Sequence, residues 1–144
     1  MIKNKKVLII GGSSEIGLSI IKLYHKKKYK ILAHYNKGNQ NFFDFVKKNK
    51  IKTIKFNFFT SNKKIENFLR KKIFKKFNIL INASGFIKEI SFTKTNLQDL
   101  EEIFKVNFYP SFLLTQSIGA EMNKKKWGRI VNLGSIGVKF GGGL

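Results

Sequence analysis

The run Val7-Leu8-Ile9-Ile10-Gly11-Gly12-Ser13-Ser14-Glu15-Ile16-Gly17 combines an apolar strand, a glycine-rich turn and a helix start. The chemistry it offers is anion binding. Glycines let the backbone turn sharply and approach a ligand closely. The free N–H groups and dipole of the following helix then favour negative charge, as on a pyrophosphate. Ser13 and Ser14 add hydroxyl donors. A Walker loop would need Lys and then Ser or Thr after Gly17, but Leu18 and Ser19 follow, so an NTPase is disfavoured. The spacing G-x-G-x-x-G is also absent, and a plain strand-to-helix turn stays open as the structural alternative.

Few other residues carry chemistry. The chain has no cysteine, which excludes disulfides, thiolate catalysis and zinc–thiolate sites. His25 and His34 have no clustered partners, so both read as surface or packing residues and no metal site is expected. Asp99, Glu101 and Glu102 fall at the start of a helical pattern and suit its dipole better than a catalytic pair. The phenylalanine-rich faces read as core, and Trp127 as a packing residue near a helix end.

The elements that must position the turn follow from hydrophobic periodicity. Strands are predicted at Lys6–Ile10, Tyr29–Tyr35, Ile51–Phe58, Ile79–Asn82 and Arg129–Leu133. Helices are predicted at Glu15 to about Lys27, with Ile16, Ser19, Ile20, Leu23 and Tyr24 on one face, and at Asn41–Lys48. A third runs from Ser61 to Phe77, showing Ile65, Phe68, Leu69 and Ile73 to a core and capped by Ser61 or Asn62. Two more span Leu97–Phe104, capped near Thr95 or Asn96, and Val106 to about Asn123, with the only proline, Pro110, in its first turns. Gly134–Leu144 reads as a glycine-rich loop. Alternating helices and short, wholly apolar strands imply an α/β fold, a doubly wound parallel sheet with helices on both faces.

The 144 residues suit one domain able to bury a substantial core. The longest apolar runs fall far short of the roughly 18 residues of a membrane span. No apolar signal-peptide region precedes Gly11, so a cytoplasmic, membrane-free protein is expected. A formal charge of +21 suggests nucleic acid at first sight. Yet all basic residues except Arg70 and Arg129 are Lys, whereas Arg is the usual reader of phosphates and bases. Lys, Asn, Ile and Phe, whose codons are rich in A and T, make up over half the chain. The charge therefore reads as compositional drift onto solvated faces, with no specific nucleic-acid partner.

Taken together, four segments in order resemble the short-chain dehydrogenase/reductase family. Ile10–Gly17 is similar to its nucleotide turn T-G-x-x-x-G-x-G, with Ile10 for Thr and Glu15 for the middle Gly. A carboxylate at 15 suits a pyrophosphate site only by turning outward. Leu80-Ile81-Asn82-Ala83-Ser84-Gly85 is similar to L-V-N-N-A-G, and Lys105-Val106-Asn107-Phe108 to the segment bearing the family's active-site Asn. Trp127–Ser135 resembles G-R-I-V-N-x-S-S. The resemblance runs over the whole chain, and covers the first three fifths of a typical member. It implies a single NAD(P)-binding Rossmann domain over 1–144, C-terminally incomplete, with the first five of the usual seven strands.

The resemblance also implies the site. Gly11, Gly12, Ser13, Ser14, Ile16 and Gly17 would hold the pyrophosphate, and Asn82, Ala83 and Gly85 would border the cofactor. Asn57 and Phe58 would flank the adenine. After the second strand an acid would mark NAD, but Asn36-Lys37 stands there, so NADP(H) is favoured over NAD(H). Ser135 would polarise a substrate carbonyl and Asn107 would support a water relay. The family's acid/base Tyr, with a Lys four residues on, would fall just past Leu144, and no tyrosine follows Ser135. The function that the resemblance implies is NADP(H)-dependent carbonyl reduction or alcohol oxidation on a small molecule, with the 3-oxoacyl-carrier-protein reductase type as one candidate. The 144 residues themselves are expected to lack turnover, since proton donation carries factors of at least about 10². A homo-oligomer is expected for an intact version, paired through the helix holding Asn107. A non-catalytic dinucleotide-binding or interaction protein, and a basic nucleic-acid-binding protein, remain as alternatives.

Overall fold

The computed structural model describes residues 5–137. Its strands are β1 (Lys6–Ile10), β2 (Lys30–Tyr35), β3 (Lys52–Lys55), β4 (Ile79–Asn82) and β5 (Arg129–Asn132). Its α-helices are α1 (Glu15–Lys26), α2 (Gln40–Lys48), α3 (Asn62–Leu69), α4 (Leu97–Asn107) and α5 (Tyr109–Lys124). The strands form one parallel sheet in the order β3-β2-β1-β4-β5. Register pairs Val7 with both Ile31 and Ile79, and Ile81 with Val131.

Strand periodicity sorts the core into two layers. Val7, Ile9, Ile31, Ala33, Ile79 and Ile81 pack under Leu18 and Ile21 of α1 and Phe42 and Val46 of α2. Leu8, Ile10, Leu32 and Leu80 pack under Ile65, Phe68 and Leu69 of α3 and Leu114, Ile118 and Met122 of α5. Burial on both faces is why β1 and β4 read as unbroken apolar runs. This is the expected Rossmann-like α/β class.

Several sequence readings need correction. On α1 the buried residues are Gly17, Leu18 and Ile21, while Ile16 is 62% exposed and Leu23 lies open. Of the expected face, Ile20 and Tyr24 are half-buried against the core, whereas Ile16, Ser19 and Leu23 are exposed, because apolar residues occupy more than one face of this helix. Helix α3 ends at Leu69, not Phe77. The chain then turns through Lys71 and Lys72 into a 3₁₀ turn at Phe74–Lys76, which buries Phe74 and leaves Ile73 exposed. Strand β3 stops at Lys55, so Asn57 and Phe58 lie in the loop beyond it. The boundary between the last two helices falls at Phe108, because Pro110, lacking an N–H, fits the first turn of α5. Ser61 caps α3, and Asn96 caps α4 in a reciprocal box with Asp99. Of the expected C-terminal loop, residues 138–144 lie outside the described residues.

Helices α1, α2 and α5 end in one pattern. Lys28, Lys50 and Lys126 take left-handed conformations (φ 59, 50 and 53°) just past the helix end. The following residues, Tyr29, Ile51 and Trp127, donate back to Tyr24, Val46 and Met122. This closure usually employs glycine, yet the ends of all three helices fall within a residue of those read from the sequence. No helix among the described residues is long and apolar enough to cross a membrane.

Candidate functional site

The strand order reverses between β1 and β4, where chains leave the sheet in opposite directions. A crevice opens outside the carboxyl ends of the strands at such a point. Here it has a volume of ≈ 590 Å³. Its floor is the turn after β1. Gly11 has φ +75°, and a Cβ there would meet the Ala83 carbonyl and the Ser84 amide at 2.6 Å, so only glycine permits this approach to β4. Gly17 packs α1 onto the same turn, and a Cβ on it would lie 2.2 Å from the Gly11 carbonyl oxygen.

The turn is held by hydrogen bonds to β2 and within itself. The Gly12 amide donates to the His34 carbonyl (2.7 Å), and the Gly11 amide to His34 Nδ1 (3.2 Å). The Ser14 hydroxyl donates to the Gly11 carbonyl (2.9 Å) and accepts from the Gly17 amide (3.0 Å), capping α1. Ser13 Oγ donates to the Lys37 carbonyl (2.5 Å), tying the turn to the loop after β2. The two hydroxyls foreseen as ligand donors thus hold backbone here. What remains to meet an anion is the open N-terminus of α1. Glu15 is exposed and does not line the crevice.

Of the residues singled out from the sequence, Gly11, Ser13, Ser14 and Ile16 line the crevice at the turn. Asn36 and Lys37 line it after β2, Asn57 and Phe58 after β3, and Ala83 and Gly85 after β4. Gly12, Gly17 and Asn82 lie beneath it, all buried. Asn82 donates to the Ser111 hydroxyl and accepts from Ser84 Oγ (2.7 Å), joining the end of β4 to α5. Asn57 Oδ1 accepts from the Phe59 amide (3.0 Å), and Phe58 is buried against His34 and Phe68.

Asn107 stands just behind the crevice wall. Its Oδ1 accepts from the Phe86 amide (2.7 Å) and its Nδ2 donates to the Phe86 carbonyl (2.9 Å), so the side chain clamps the loop after β4. Ser84 Oγ adds a bond to the Val106 carbonyl (3.0 Å). Ser135 lies past the carboxyl end of β5, exposed, its Oγ accepting from the Gly137 amide (3.1 Å). It does not line the crevice. One Tyr-x-x-x-Lys spacing does occur, from Tyr24 to Lys28. Tyr24 lies about 13 Å along α1 from the turn at 1.5 Å per residue. Burial pushes its phenol up, the reverse of what an acid/base tyrosine needs.

Sequence reasoning missed His34, Phe59, Ser84, Phe86 and Val106, all of which border the crevice. Phe59 and Phe86 meet edge to face (4.8 Å) across its mouth. His34 is 2% exposed, and burial pushes its imidazole down to about 4. The signal for His34 was its place in β2, one strand from the turn. Beside the crevice, Lys88 pairs with Asp99 and Glu102. The pairing raises the lysine and holds the Asp99 carboxyl below its ordinary range.

Comparison with known proteins bears on this geometry. The family model for short chain dehydrogenase matches residues 5–143. The 3-oxoacyl-[acyl-carrier-protein] reductase of Rickettsia typhi is 30% identical over 139 residues, covering 92% of this chain and 54% of its own length. The chain therefore spans about half the length of the curated relatives it matches. Among solved structures, the Cj0485 dehydrogenase superposes with TM-score 0.80 at 23% identity, covering 99% of this chain and 55% of its own. ElxO with NADP bound superposes with TM-score 0.77 at 22% identity, covering 98% and 59%. These two show the shared fold.

Proposed function

The chain belongs to the short-chain dehydrogenase family, and on that premise we propose that it binds NADP(H) in the crevice and is the nucleotide-binding part of a carbonyl reductase. The observation that carries this reading is the Gly11–Gly17 turn at the strand-order reversal, with Lys37 on the same crevice wall. The helix N-terminus meets the pyrophosphate, with Gly12 and Gly17 packing the turn behind it. Lys37 and Asn36 meet the 2′-phosphate, and the absence of an acid after β2 removes the group that would repel it. Asn57 and Phe58 border the adenine, and Ala83 and Gly85 border the rest of the dinucleotide. When bound, the cofactor supplies or takes the hydride.

The substrate class is a 3-oxoacyl thioester or similar small ketone, by likeness to the Rickettsia reductase. Ser135 holds the substrate oxygen, and Asn107, through the loop it clamps, shapes the crevice wall and serves a water relay. A cytoplasmic setting goes with this soluble dinucleotide. A homo-oligomer fits the exposed row Leu100, Phe104, Phe108 and Phe112, spaced four apart along α4 and α5.

The test is to mix the 144-residue chain with NADPH and acetoacetyl-CoA, following bound cofactor and nicotinamide absorbance. Binding without thioester-dependent oxidation is expected. Turnover would show that a group other than the family tyrosine donates the proton. Absence of binding would overturn the reading of the crevice.

A further inference from the structure

His34 does more than pack. Its side chain sits between the nucleotide turn and the chain leaving β3, 2% exposed. Nδ1 faces the Gly11 amide at 3.2 Å, and Nε2 faces the Phe56 carbonyl at 3.0 Å. These partners determine the proton's place. An amide only donates, so Nδ1 accepts. A carbonyl only accepts, so Nε2 carries the hydrogen. The ring is closed in by Phe58 (4.9 Å between centroids) and by Phe68 of α3 (6.0 Å), and among the described residues no charged side chain hydrogen-bonds to it. A second proton would set an N–H against the Gly11 N–H at a ring only 2% exposed.

We propose that His34 is a positioning residue for the nucleotide turn, holding the Gly11 amide through Nδ1 in the neutral, Nε2-protonated form. This rests on the reading of the crevice as a dinucleotide site and adds what shapes it. Gly11 is the one glycine of the turn with positive φ, and it lies in direct contact with Ala83 and Ser84 of the opposite wall. Fixing its amide fixes the direction in which the chain enters α1. The same ring reaches Phe56, two residues before Phe58 at the crevice floor. One side chain therefore ties together the loops after β1 and β3, the parts assigned to pyrophosphate and adenine. An apolar residue of equal volume would fill the space but leave the Gly11 amide unpaired.

The test separates the ring's two nitrogens. In His34→Asn the amide oxygen takes nearly the place of Nδ1 and can still accept from Gly11. His34→Gln places its amide nitrogen near Nε2 and keeps only the bond to Phe56. His34→Leu keeps neither. Hydrogen exchange of the Gly11 amide in the free protein and NADPH affinity are measured for each. The Leu and Gln variants are expected to exchange Gly11 faster and to bind NADPH roughly tenfold more weakly, the worth of one buried hydrogen bond. The Asn variant is expected to restore both. Equal affinity and exchange in the Leu variant, or rescue by Gln and not Asn, would overturn the proposal. Should the variants not fold, ¹⁵N shifts of the His34 ring in the native chain decide it: a proton on Nε2 alone supports the assignment, and a proton on Nδ1 overturns it. Gly11 exchange and the ring shifts are read without nucleotide, so they judge His34 even if the crevice takes no NADPH.

Discussion

The two sides of the crevice are built differently. On the β1 side every strand residue from Val7 to Ile10 is fully buried, and the turn beyond is tied to β2 and to the loop after it by three separate hydrogen bonds. On the β5 side the strand lies at the sheet edge, Val131 is 43% exposed, and among the described residues the Ser135 side chain bonds only to Gly137, two residues on. A nucleotide turn can be made complete by one strand–helix–strand unit. The groups assigned to the chemical step come from separate elements: Asn107 is held at the end of α4 by the loop after β4, and Ser135 follows β5. On the proposed reading, nucleotide binding and the chemical step rest on different parts of the chain, and mutations on the two sides should differ sharply.

The largest expected effect is on the turn. Gly11→Val places a Cβ against the Ala83 backbone at a positive φ, and should cost about 4 kcal/mol or prevent folding, with NADPH binding lost. Denaturant titration and fluorescence would measure this. Next comes acid. His34 is held at about 4, below the ordinary value of 6.5 that it regains on unfolding. The unfolded chain therefore binds the extra proton first. The stability tied to neutral His34 is whole above about pH 6.5 and drains as pH falls towards 4, by roughly 3 kcal/mol in all. The Asp99 carboxyl, held down by Lys88, adds its loss only at still lower pH, as it protonates below the ordinary Asp range. Melting temperature against pH, with His34→Leu flattening the upper part of the fall, would check this.

Smaller effects sharpen the contrast. Lys37→Glu should reduce the preference for NADPH over NADH about tenfold, the worth of one charge-assisted contact, without changing stability. Lys50→Gly and Lys126→Gly should each stabilise the chain by about 1 kcal/mol by relieving left-handed backbone. Ser135→Ala should change stability by no more than about 0.5 kcal/mol, since the side chain is exposed and only locally bonded.

The turn and the alternation of strands and helices were legible because they rest on local rules (apolar strand, glycine turn, capped helix), while the crevice residues beyond the turn were reached through the family resemblance. The buried face of α1 was not, because Ile16, Ile20 and Leu23 are as apolar as Leu18 and Ile21, and only the sheet decides between them. The end of α3 was hidden by its lysines, which fit a helix as well as a turn. His34 looked like packing because both its partners, Gly11 and Phe56, come from the loops just past the neighbouring strands β1 and β3 and not from nearby sequence. Asn107 was singled out for a water relay; the clamp it makes on Phe86 was not legible, because it depends on a loop twenty-one residues upstream.

The most direct test of the central claim is to titrate the 144-residue chain with NADPH and with NADH, following nicotinamide fluorescence, beside Gly11→Val or a milder Gly11→Ala. Saturable binding that is tighter for NADPH, weakened by Lys37→Glu and abolished at Gly11, is the predicted result. No saturable binding by a folded chain, or affinity indifferent to Gly11, would contradict it.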